Sequence, residues 1–101
     1  MAKVIGVVDK DKVEELEKKI RELSQRIAAL KTRAEAVEHL INRLHEIKWL
    51  ADKYKIGFLG QDVDFIIKRA IDELKKLNEE AKLLEEDQDK IISELRRLRR
   101  W

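Results

Sequence analysis

Cysteine and proline are absent from this chain of 101 residues, and glycine occurs three times. Without cysteine there is no disulfide, no thiol nucleophile and no thiolate metal site. Without proline, and with glycine so scarce, little interrupts a helix or builds the close-set turns of an all-β domain. Aromatic residues are few and unevenly placed: Trp49, Tyr54, Phe58 and Phe65 stand close together, with Trp101 at the other end. No apolar run approaches the roughly eighteen residues that cross a bilayer. The first residues also lack the basic segment and apolar stretch of a secretory signal. A soluble chain without membrane insertion is expected, with the cytoplasm as default setting.

Charge of one sign is missing too. The 23 basic and 21 acidic side chains leave a net +2 and are interleaved along the chain. No broad field exists to draw in a polyanion, so bulk charge argues against nucleic acid as a partner. The interleaving does supply pairs one helical turn apart, such as Glu14 with Lys18, Glu15 with Lys19, Glu17 with Arg21 and Glu22 with Arg26. Each is worth about 0.2–0.5 kcal/mol in a helix.

Reactive constellations are hard to find. His39 and His45 are the only imidazoles, and their separation puts them on different helix faces. Glu35 and His39 lie one turn apart but outside the apolar seam, where a solvated pair is the ordinary outcome. Besides Tyr54, the side-chain hydroxyls are Ser24, Thr32 and Ser93. They sit in no nucleophile elbow, and no glycine-rich phosphate loop accompanies them. None of the carboxylates falls at a core position where burial would tune a general acid or base. The expectation is a protein that is not an enzyme, with no metal and no cofactor.

What is present is rhythm. From Val13, apolar residues recur at alternating steps of three and four: Leu16, Ile20, Leu23, Ile27, Leu30, Ala34, Val37, Ile41, Leu44. A second series runs Ile67, Ala70, Leu74, Leu77, Ala81, Leu84, Gln88, Ile91, Leu95, Leu98, with Gln88 its one polar member. Two sustained heptad repeats of near-equal length predict an all-α fold, two long helices folded back as an antiparallel coiled-coil hairpin. The expected layout is an apolar arm over 1–10, helix 1 over about 11–55, a turn over about 56–62 and helix 2 over about 63–100. Asp11 with Glu14 has the spacing of a capping box. Gly57 is positioned to close helix 1 in the left-handed conformation, and Gly60, Gln61 and Asp62 read as a polar break with Asp62 capping helix 2. A fold-back centred near Phe58 would set Gln88 beside Ala28 and Ala29. The seam of helix 1, with Val, Ile, Ile, Ala, Ile on one side and Leu, Leu, Leu, Val, Leu on the other, also suits a parallel coil between chains.

Two regions exceed what a two-stranded seam can cover. Near the turn, Leu40, Ile47, Trp49, Leu50 and Tyr54 widen one apolar stripe, and Val63, Phe65, Ile66 and Ile71 widen the other. This is either a local core or a surface for another chain. The N-terminal run Val4, Ile5, Gly6, Val7, Val8 is β-branched and reads as a short strand-like arm. Protein contact is therefore expected through Trp49, Tyr54, Phe58, Phe65 and Ile66, with Val4, Ile5, Val7 and Val8 as a second set. The implied role is an assembly or adaptor protein that binds itself, as a dimer or trimer within a helical bundle, or another protein. A competing role is a nucleic-acid-binding hairpin in which Arg96, Arg97, Arg99 and Arg100 contact phosphates and Trp101 stacks on a base. Against it, cations at a helix C-terminus complement the helix dipole. A bundle engineered for folding alone is a third reading.

Overall fold

A computed structural model describes residues 10–99 of the chain. The proposed arm residues Val4, Ile5, Val7 and Val8, together with Arg100 and Trp101, lie outside the described residues. Two helices account for nearly all of the described chain: α1, Lys10–Lys53, and α2, Gly57–Arg99. Among the described residues there is no strand, and no helix is long and apolar enough to cross a membrane.

The heptad series mark the buried faces. Lettering α1 with Val13 as position a, and α2 with Ile67 as position a, the buried residues all fall at a or d. The chain divides into two units, an open-end unit that pairs the N-terminal part of α1 with the C-terminal part of α2, and a turn-end unit spanning Leu30–Glu80. In the open-end unit Leu16, Ile27, Ala81 and Leu95 are buried. In the turn-end unit the buried apolar residues are Ala34, Leu44, Ala51, Val63, Ile67, Ala70 and Leu77, with Leu44, Val63 and Ile67 in one cluster against which Ile71 packs. The described seam thus joins α1 to α2 of the same chain, in antiparallel sense.

The fold-back comes earlier than expected. Only Tyr54, Lys55 and Ile56 separate the helices. The Ile56 N–H donates to the Ala51 carbonyl at 2.8 Å and the Lys55 N–H to that of Asp52 at 3.2 Å. This crossed pair is the Schellman arrangement, and it satisfies carbonyls that the last turn of α1 would leave open. Its left-handed residue is Lys55, with φ of 57°, and no described glycine has positive φ. Gly57 and Gly60, expected in the turn, lie inside α2, whose first hydrogen bond runs from the Gly60 N–H to the Ile56 carbonyl at 3.1 Å. Asp62 is accordingly an interior helical residue and caps nothing. Continuing the helix through this stretch pairs its backbone groups and carries the seam on through Gly60 and Val63, both buried.

A shorter turn changes the register. Moving the fold-back from Phe58 to Lys55 displaces every facing partner by twice that offset, and Gln88 faces Ile20 and Ser24 instead of Ala28 and Ala29. Its Nε2 donates to the Ile20 carbonyl at 3.1 Å and to Ser24 Oγ at 2.6 Å. The polar seam residue is thereby tied to the facing helix, the arrangement by which one such group selects a register. Ion pairs flank it in the same unit: Lys12 with Glu94 at 3.5 Å and Arg99 with Glu17 at 3.2 Å.

Candidate protein-interaction surface

In the turn-end unit, the seam is closed by small and aliphatic side chains, and the aromatic residues are left on the outside. Phe58 is 73% exposed, Tyr54 65%, Trp49 62% and Phe65 62%. Of the two options for the turn cluster, a local core built from these residues is not what forms. Leu40, Ile47, Leu50, Ile56, Leu59 and Ile66 are exposed beside them, and among the described residues Leu83 is the one large exposed apolar side chain outside the stretch from Leu40 to Ile66.

Their spacing has the same period as the seam. Leu40 and Ile47 occupy successive g positions of α1 and Tyr54, just past its end, continues the row; Leu59 and Ile66 occupy g positions of α2, whereas Phe58 and Phe65 fall at f and Trp49 at b, on the outer faces. In an antiparallel pair the two g rows flank the seam on one side, so both helices widen their apolar stripe on a common flank. A strict a/d stripe suits a two-stranded coil. A stripe of a, d and g suits a helix that faces more than one neighbour in a bundle.

Elsewhere the same rows are ionic. In α1, Lys12, Lys19, Arg26 and Arg33 hold the g positions before Leu40; in α2, Glu73, Glu80, Asp87 and Glu94 hold those after Ile66. In these rows the charges that look interleaved along the chain sort by sign, basic on α1 and acidic on α2. The Lys12–Glu94 pair belongs to this set. Lys19, Arg26 and Asp87 border one shallow crevice in the open-end unit, together with Leu23 and Ile91. Two α1 helices set antiparallel would place basic row against basic row, which disfavours that pairing relative to α1 with α2.

No family model, curated protein or solved structure matches this chain.

The remaining chemistry is modest. Lys53 Nζ lies 5.0 Å from the centroid of the Trp49 ring and 5.7 Å from that of Tyr54, and the Arg69 guanidinium 5.8 Å from that of Phe65. These cations cover ring faces without removing them from water. On the opposite flank Lys48 occupies an a position, and its Nζ approaches Asp64 Oδ1 at 2.6 Å. Among the described residues no group of three His, Cys, Asp or Glu side chains could hold a metal ion. His39 and His45 are exposed. Arg96, Arg97 and Arg99 lie in the last turn of α2, where Arg99 is engaged by Glu17. Ile56 and Leu59 went unnoticed in sequence because they sit where a turn was expected; for Leu59 the seven-residue step to Ile66 was the signal.

Proposed function

We propose that the chain is a non-enzymatic coiled-coil assembly and adaptor protein, acting by protein–protein contact and self-association through its turn end. The observation that carries this reading is the exposed apolar flank from Leu40 to Ile66, repeated with heptad period on both helices. Hydrophobic burial supplies the affinity, at about 25 cal/mol for each Å² removed from water before the costs of association. Tyr54 is the aromatic anchor of the flank, and Trp49, Phe58 and Phe65 extend the exposed apolar surface onto the outer faces, since large aromatic side chains dominate the energy of most interfaces. The basic C-terminal turn does not rival them, because part of its charge is already answered by Glu17.

Light scattering tests the reading. The wild type should have the mass of more than one chain, and Phe58→Ser combined with Trp49→Ser should lower that mass while helicity persists. A wild type that stays monomeric at high concentration overturns self-association.

A further inference from the structure

We infer that the occupant of the turn-end flank is a second copy of this chain, docked with both turns at the same end so that α1 of one copy lies against α2 of the other. The inference rests on the proposed function and adds the partner and its geometry. Three features of the turn-end unit lead to it.

The first is area. Leu40, Ile47, Tyr54, Leu59 and Ile66, with Leu50 beside them, are 37–65% exposed and make one continuous apolar stripe on the order of the roughly 300–600 Å² of the largest patch on a typical monomer, a size that often marks a contact surface. The second is symmetry. Both helices carry the widened stripe on the same flank, so a twofold operation brings the patch onto itself and converts two a/d/g helices per chain into a four-helix bundle.

The third is charge, and it chooses the operation. Beyond Leu40 the g row of α1 continues with Arg33, and beyond Ile66 the g row of α2 continues with Glu73 and Glu80. A twofold axis along the hairpin direction places α1 over the partner's α2. Leu40, Ile47 and Tyr54 then meet the partner's apolar row, and Arg33 comes level with its acidic one. A twofold axis across the hairpin instead places α1 over the partner's α1 and carries Arg33 past the partner's turn, away from the partner's acidic row. Complementary charge at the border fixes orientation even where it adds little affinity.

A mixed-partner experiment separates the arrangements. Ile47 and Ile66 are exposed g residues outside the seam, so Ile47→Glu and Ile66→Lys leave the hairpin intact, which circular dichroism verifies. Each variant alone should dimerise at least tenfold more weakly than wild type. An equimolar mixture should recover at least tenfold over either alone, because one Glu–Lys contact and one unaltered Ile–Ile contact replace two mismatches. A control mixture of Ile47→Glu with Ile47→Lys should not recover. Recovery in the control but not in the first mixture puts α1 against α1 and overturns the inference while leaving self-association in place. Wild-type-like dimerisation of both single variants moves the interface elsewhere and also overturns it. A monomeric wild type removes the inference and the proposed function together.

Discussion

Lys55 holds a left-handed backbone conformation that glycine adopts freely and a lysine does not. The conformation costs an L-residue about 1–2 kcal/mol, and part of that is recovered on replacement by glycine, whose unfolded chain is more mobile. Lys55→Gly should therefore stabilise the protein by about 1 kcal/mol in urea unfolding; a loss of stability would mean that the lysine side chain makes a contribution of its own. Lys48 is the other residue at odds with its position, an ammonium group on the seam. Its pKa is raised above the usual 10.5, first by the hydrogen bond to Asp64, then opposed by desolvation and assisted by the charges of Asp64 and Asp52. A group bound more tightly in its protonated form when folded contributes stability that is whole below its unfolded pKa and lost as pH rises through the folded one. Stability should thus decline as the solution is taken above pH 10.5, and Lys48→Met should flatten that decline in thermal melts. Equal slopes in the two proteins would show that the Asp64 contact does not outlast solvent competition.

At the scale of the helix, Gly60 is informative because it occupies a buried seam position near the start of α2. A Cβ placed there would lie 3.4 Å from Asp52 Oδ1, an ordinary contact with the end of a movable side chain. Gly60→Ala should gain most of the roughly 0.8–1 kcal/mol by which alanine exceeds glycine in a helix, visible as a higher melting temperature; a lower one would show that the close approach of the helices depends on the missing methyl. The same residue explains where sequence reasoning succeeded and where it did not. Leu16, Ile27, Leu44, Ile67, Leu77 and Leu95 were legible as core because burial of one stripe imposes a period that neighbouring residues cannot imitate. The turn was misplaced because glycine signals only that the backbone is free to turn, and here Gly57 and Gly60 spend that freedom on helix while Lys55 accepts the strained conformation. The sorting of charge into a basic and an acidic row was invisible in linear order. It emerges once the heptad phase of each series is applied to the charged residues as well as the apolar ones, and the antiparallel sense then sets the two rows on one flank.

For the molecule as a whole, the seam includes Ala34, Ala51, Gly60, Ala70 and Ala81, which bury little area each. A two-helix arrangement with so slender a core gains stability from whatever covers its exposed apolar flank. The melting temperature of the wild type should therefore rise with protein concentration, whereas an Ile47→Glu, Ile66→Glu double variant, altered only at exposed flank residues, should melt at a temperature independent of concentration. Differential scanning calorimetry over a hundredfold dilution decides this, and a wild type insensitive to dilution would count against any gain from association.

The ion pairs of one unit and the exposed aromatics of the other respond to added electrolyte in opposite senses. Where Lys12 meets Glu94, dissolved ions shorten the reach of attraction and loosen the grip. Where Tyr54 and Phe58 face water, an excluded salt such as sulfate makes their wetting more costly and drives them under cover. A single change of medium would weaken the ion pair while it raises the cost of leaving the aromatic rings in water.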